Sequence, residues 1–292
     1  MTDDPFVAHR SLLFTVAYEM LGSAADAEDV VQETWLRWDG VDVDARAEVR
    51  DLRAYLVRIV TRLALNRLRT LARRREDYVG EWLPEPLLTS PDVADDVALA
   101  DSVSIAMLTV LETLGPTERA VFVLREVFDV PFDEIAHAVG KSPAAVRQVA
   151  HRAREHVAAR RPRQQVSRAE QDAVVARFLD AVRGGDVTAL LDVLAPDVVV
   201  VADGGGVVLA SPRPVRGAAR VAQFLSLLAA GPGEVELTTL PLNGGAGVRI
   251  HLDGEQDTFA TFVVEDGRIT RIHAVRNPHK LGRVDAETPL TR

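Results

Sequence analysis

The sequence predicts a multi-domain protein: two all-α modules followed by an α+β domain whose curved sheet forms a cone. Three observations carry that prediction. At 292 residues the chain exceeds one typical compact domain. Its apolar residues recur at helical spacing up to about residue 163, and short Val-rich runs bounded by Gly turns take over after residue 198. Its charge is also sharply segregated. Residues 1–49 hold 11 acids and three Arg, 50–75 hold nine Arg and the single acid Asp51, and 76–101 hold eight acids and no Lys or Arg. Residues 141–163 are cationic again, with Glu155 as the one acid. Two basic blocks in a chain of net charge −9 suggest two separate polyanion contacts. The acidic blocks between them suit a basic protein partner or shield the cations.

Composition narrows the class. With 47% hydrophobic and 26% charged residues the chain has ample material for cores. It has no cysteine, which excludes disulfides, a thiolate zinc site and a cysteine nucleophile. No apolar run reaches the roughly 18 residues of a membrane span, and MTDDPF lacks the pattern of a secretory signal. A cytoplasmic location is therefore expected.

Residues 5–76 read as a helical module. In Ala24–Trp38 the positions Ala27, Val30, Val31, Thr34 and Trp38 follow helical spacing beside an acidic stripe of Asp26, Asp29 and Glu33. A long helix from about Val49 to Arg74 buries Leu52, Leu56, Ile59 and Leu63 and aligns Arg58, Arg62, Arg69 and Arg73 on a neighbouring face. Guanidinium groups spaced like this can follow a phosphate backbone. Residues 77–104 read as an acidic linker with three prolines and Trp82, whose large apolar surface favours docking over water. We expect Trp82, Pro84 and Pro86 to pack near Asn277, Pro278, Lys280 and Leu281.

A second helical module spans 105–162, with helices expected at about Ala98–Leu114 and Pro116–Phe128. Within it, FDEIAHAVGKSPAAVRQVAHRARE (132–155) reads as a helix-turn-helix. Gly140 supplies the left-handed residue at the first helix end; Ser142 caps the second helix and Pro143 fits its first turn. Val146, Val149, Ala150, Ala153 and Val157 form one apolar stripe, with Arg147, Gln148, His151 and Arg154 roughly opposite and Arg152 at the edge. Such a helix can enter the major groove, where Arg and Gln read base edges. A solvated charged face is the alternative for both basic helices.

The last domain, 168–281, begins with helices at Ala169–Arg183 and Val187–Leu194. Val198–Val201, Asp203-Gly204-Gly205-Gly206 and Val207–Leu209 read as a hairpin, then a helix at Ala218–Ala230. Strands are expected at Glu234–Leu240, Val248–Leu252, Thr258–Val264 and Arg268–Val275, as a long antiparallel meander. The glycine runs lack the Gly-Lys-Ser/Thr of a phosphate loop and read as turns. Asp197, Asp203, His251 and His273 are nominal acid–base candidates, but their spacing does not set them apart from turn and surface residues. No catalytic residue, metal or cofactor is assigned.

These motifs resemble a known family. Residues 14–38, with the core DAEDVVQE, resemble region 2 of bacterial sigma factors of the extracytoplasmic-function type; residues 112–155 resemble their region 4. WLPEP (82–86), DGGG (203–206) and NPHKL (277–281) resemble the subgroup with a fused SnoaL-like domain of the polyketide-cyclase and ketosteroid-isomerase type. Val207 stands where that subgroup has Lys, and His279 where it has Asp.

The resemblance implies a sigma factor that binds core RNA polymerase and directs promoter-specific initiation, regulated in cis by its last domain. Asp26, Asp29, Gln32, Glu33 and Trp35 would meet the β′ clamp helices. Arg58, Arg62, Asn66 and Arg69 would contact the −10 element, and Arg147, Gln148, His151 and Arg152 the −35 element. The linker would thread into the polymerase. No membrane and no separate anti-sigma factor are expected partners. Two other readings remain: a ligand-responsive regulator that binds DNA unaided, and an isomerase- or cyclase-type enzyme with a DNA-binding tether.

Overall fold

Cap chemistry sets most of the boundaries in the computed structural model, which describes residues 4–76, 78–161, 166–229 and 233–292. The side chains of residues 72–76, 91, 94 and 228–229 lie outside the description, and with them the expected position of Arg73. Helix α1 (Arg10–Leu21) is buried along nearly its whole length and stops at Gly22, where φ is 67°. Ser23 caps α2 (Ala24–Asp39), its hydroxyl accepting from the Asp26 N–H at 3.2 Å. A short α3 (Val43–Ala47) precedes the 25-residue α4 (Leu52–Glu76), which packs on both α1 and α2.

The segment read as a linker is structured. Leu83, Pro84, Glu85, Pro86 and Leu87 are all buried, and α5 (Pro91–Asp95) and α6 (Val97–Val103) follow. The single helix expected over 98–114 is divided at Ser104, whose ψ of 143° is not helical. Its hydroxyl instead caps α7 (Ile105–Leu111), accepting from the Met107 N–H at 3.1 Å. Helix α8 (Pro116–Phe122) continues as a π turn over Val123–Val127 and ends at Asp129 with φ 50°. Then come α9 (Phe132–Val139), Gly140 with φ 71°, and α10 (Pro143–Ala158), capped by Ser142 through the Ala145 N–H at 3.3 Å. One apolar core runs through both helical modules, joining Leu13, Val60, Leu108, Val121 and Val146.

The last domain has its own core. Helices α11 (Arg168–Gly184), α12 (Val187–Val193) and α13 (Ala218–Ala229) cover one face of a six-stranded sheet. Its strands are β1 (Leu194–Asp203), β2 (Val215–Arg216), β3 (Val235–Leu242), β4 (Gly245–Leu252), β5 (Glu255–Glu265) and β6 (Arg268–Val275), in the order β2-β1-β6-β5-β4-β3. Strands β3 to β6 form the expected antiparallel meander, but β1 joins it in parallel beside β6. The expected hairpin partner Val207–Leu209 is not a strand: Gly204–Gly206 fold back on themselves, and β1 pairs instead with Val215–Arg216. Register shifts at Ile250/His251 and Val263/Val264 bend the sheet. The space it curves around is filled by apolar side chains, Phe178 and Phe262 meeting edge to face at 5.3 Å.

Candidate nucleic-acid interface and interdomain junction

Helix α10 presents Arg147, Gln148, His151 and Arg152 to solvent, while Val146, Val149, Ala150 and Ala153 are buried against the module. The guanidinium of Arg147 lies 5.5 Å from the Phe132 ring, and Arg152 and His151 make only long contacts, 3.9 Å to Glu118 and 3.6 Å to Glu155. All four therefore remain available, since exposed pairs of this length contribute little.

The cationic face of α4 is less free. Asn66 and Arg69 are exposed and bonded to each other at 3.3 Å. Arg58 stacks over Tyr55 at 5.2 Å. Arg62 points to α9, donating to the His137 carbonyl at 2.8 Å and to the Ala138 carbonyl at 3.4 Å. These carbonyls are among the last of α9, where a cation offsets both the unpaired acceptors and the helix dipole. On α2 the acidic stripe is split. Arg67 of α4 pairs with Asp26 and, at 3.2 Å, with Asp29. Gln32, Glu33 and Trp35 stay on the surface; Glu33 pairs with Arg37 at 2.8 Å and Trp35 donates to Asp4 at 3.3 Å.

The junction with the last domain is built around residues 78–87. Asp203, at the end of β1, is fully buried. Its Oδ1 accepts from the Tyr78 hydroxyl at 2.6 Å and the Gly205 N–H at 3.0 Å; its Oδ2 accepts from the Leu83 N–H at 2.9 Å and Lys280 Nζ at 2.7 Å. Lys280 also donates to the Leu83 carbonyl at 2.6 Å and lies 4.2 Å from the Trp82 ring. Asn277 Nδ2 donates to Tyr78 at 2.8 Å, and its Oδ1 accepts from the His279 N–H at 3.1 Å. Burial and the Asp203 carboxylate push the Tyr78 hydroxyl above its usual range, so it donates and does not ionise. Gly205 has to be glycine twice over: φ is 63°, and a Cβ would fall 2.3 Å from Asn277 Nδ2. The departures at Val207 and His279 leave this clasp intact, because both side chains are exposed and His279 takes part through its backbone. Pro278 is exposed; Leu281 is buried with Leu83, Phe259 and Val275.

The same segment grips the helical modules. Glu85 accepts from Ser23 at 2.9 Å and from the Ala24 and Ala25 N–H groups at 2.7 and 3.1 Å, so this linker acid caps α2 from inside the protein. The β3–β4 turn enters from the other side. Asn243, 2% exposed and with φ 50°, accepts from the Leu87 N–H at 2.9 Å and donates to Tyr18 at 2.7 Å and to the Val103 carbonyl at 2.8 Å. The glycine run at 244–247 reads from sequence as a turn, which it is, but no local signal marks Asn243 as buried between modules.

Behind the clasp, α1 meets α6 and α8 through buried polar groups. Glu19 accepts from Ser102 at 2.8 Å, while Arg119 donates to the Glu19 carbonyl at 2.9 Å and pairs with Glu112. Burial raises Glu19 to about 8, outweighing the nearby Arg119. Burial also lowers Arg119 to about 9, which leaves it a cation at neutral pH. The nominal acid–base candidates do not converge. Asp203 is consumed by the clasp, and Asp197 lies toward the other end of β1, about 20 Å along an extended strand. His251 is on β4, two strands from His273 on β6. Burial and Arg271 pull His273 down to about 3, so it is neutral.

Comparisons with known proteins follow the same division. Residues 6–74 match the model of Sigma-70 region 2, residues 104–157 that of Sigma-70 region 4, and residues 175–272 that of the SnoaL-like domain. The chain is 39% identical to the ECF RNA polymerase sigma factor SigJ of Mycobacterium tuberculosis H37Rv, over 94% of this chain and 91% of that one. It is 34% identical to the probable ECF RNA polymerase sigma factor SigI of M. tuberculosis CDC 1551, over 96% and 94%. The crystal structure of M. tuberculosis SigJ superposes with a TM-score of 0.75 at 34% identity, covering 96% of this chain and 98% of that one.

Proposed function

Because the chain belongs to the ECF RNA polymerase sigma factors, a family of transcription factors and not of enzymes, we propose that it binds core polymerase and promoter DNA under the control of its own last domain. In this reading residues 5–76 hold polymerase and the −10 element, and 105–162 hold the −35 element. Gln32, Glu33 and Trp35, with Asp26 and Asp29, form the polymerase-facing side of α2. Arg58, Arg62, Asn66 and Arg69 serve the −10 element; Arg147, Gln148, His151 and Arg152 serve the −35 element.

One observation carries the regulatory part: Arg62, assigned to DNA, is instead bonded to the carbonyl end of α9 in the helix-turn-helix. Helix α10 packs on α9 and α9 on α4, so the two DNA-reading helices lie within about two helix diameters, roughly 20 Å. Elements centred 10 and 35 base pairs upstream are separated by about 85 Å of straight duplex. The docked arrangement is therefore a resting form, and promoter engagement has to separate α4 from α9. The last domain favours docking because its clasp holds residues 78–83 while Asn243 is pinned to α1 and α6. The expectation that no separate anti-sigma protein is needed rests on this fused domain.

The test is in vitro transcription from a genomic library with core polymerase, comparing the full chain with its Asn243→Ala and Lys280→Ala variants. Promoter-specific transcripts appear only with polymerase, and loosening the junction changes their yield. Sequence-specific binding to duplex DNA without polymerase would make the protein a free-standing regulator, and unchanged yields in both variants would remove the regulatory role.

A further inference from the structure

Promoter recognition leaves unused an open cleft of about 1040 Å³ between the end of α10 and the sheet face opposite the domain's own helices. Val199 of β1 pairs with Arg216 on one side and with Arg271 on the other. Strands lie about 4.8 Å apart, so the two arginines rise from the same face roughly 10 Å from each other. Arg160 and Arg161, just beyond α10, line the opposite wall. Arg161 is committed to Asp101 at 2.5 Å. Arg160, Arg216 and Arg271 form no ion pair among the described residues. The cleft also has an apolar lining: Val199 and Val263 form part of the sheet floor, and Val110 of α7 lies on the helical side.

We propose that this cleft is a binding site for a phosphorylated small molecule of the nucleotide class. Guanidinium groups from two walls suit phosphoryl oxygens, to which each can donate in a planar, paired fashion. The valine floor suits a flat heterocycle. Asp197, Glu265 and Asp266 also line the cleft and, as acceptors only, suit sugar hydroxyls or exocyclic amines. The volume is at the upper end for small-ligand sites. One wall belongs to the −35 module and the other to the last domain, so the bound ligand stabilises their docked arrangement by linkage. The site thus gives the regulation proposed above a chemical input, although ligand binding itself is measured without reference to transcription.

Isothermal titration of the full-length protein with GDP and with inorganic pyrophosphate tests the site. GDP binds saturably with a Kd below about 1 mM, pyrophosphate binds more weakly, and GDP raises the thermal midpoint. The double variant Arg216→Ala/Arg271→Ala weakens GDP binding at least about ten-fold, a difference of roughly 1.4 kcal/mol. Arg216→Lys/Arg271→Lys keeps the charge and recovers part of the affinity. Arg220→Ala, an exposed arginine on α13, binds as the parent does. All these arginines are exposed, so the unliganded midpoints stay alike. No saturable binding of either probe at 10-fold higher concentration, or equal loss in Arg220→Ala, overturns the proposal. So does a double variant that loses affinity only for random-sequence duplex DNA, since the arginines would then be a DNA contact.

Discussion

Lys280 and Asp203 show how one pair of side chains joins two parts of the chain. Asp203 is completely buried and Lys280 nearly so, and the pair also holds the backbone of Leu83. Removing one partner of a buried pair costs roughly 3–5 kcal/mol. Lys280→Ala should fall at the lower end, because Tyr78, Leu83 and Gly205 still donate to Asp203. Urea unfolding followed by tryptophan fluorescence checks this, and the prediction fails if the midpoint stays within error of the parent. Glu19 makes a prediction about pH. Its carboxyl titrates near 8 in the folded protein against an ordinary value of 4.5. Between those values the folded form keeps a proton that the unfolded form has lost, so this contribution is complete below about pH 4.5 and disappears as pH rises through 8. Glu19→Gln removes the ionisation, and its urea midpoint should exceed the parent's at pH 8 by more than at pH 5. Equal differences at the two pH values would mean that Glu19 is not the titrating group.

Among the elements, α9 and α10 were the most legible. Their stop, cap and stripe signals lie within a few residues of one another, and Gly140, Ser142 and Pro143 take the positions that backbone chemistry assigns them. The boundary at Ser104 was harder to read, because the apolar period continues through it and only the hydroxyl's competition for backbone donors ends the helix. The pairing of β1 with β6 left no local trace either, since a parallel ladder joins segments more than 60 residues apart. The contact of α4 with α9 yields a prediction of its own. Arg62→Ala removes a charged donor from the last carbonyls of α9, an interaction of about 1–2 kcal/mol. Amide exchange at 136–141 should accelerate about five- to thirty-fold, with exchange along α1 unchanged. Unaltered protection at 136–141 would show that Arg62 does not hold α9.

At the scale of the whole molecule, the sequence by itself determined most of the inventory: two helical modules, a helix-turn-helix, an acidic amphipathic helix, a cationic helix and an α+β domain with a β3–β6 meander, though not the short strand β2. It could do so because periodicity, caps and charge blocks are local properties of neighbouring residues. It also placed Trp82 and Lys280 in motifs whose resemblance pointed to a shared role. Only the tertiary structure decided that residues 83–87 are buried, that Glu85 caps α2, that Asn243 is a plug and that Arg62 is tied to the carbonyl end of α9. Each of these depends on where distant segments meet. An Asn-Gly turn or an acidic linker has the same local chemistry whether it faces water or another module. What differs is the partner that replaces water, and only the packed chain supplies it.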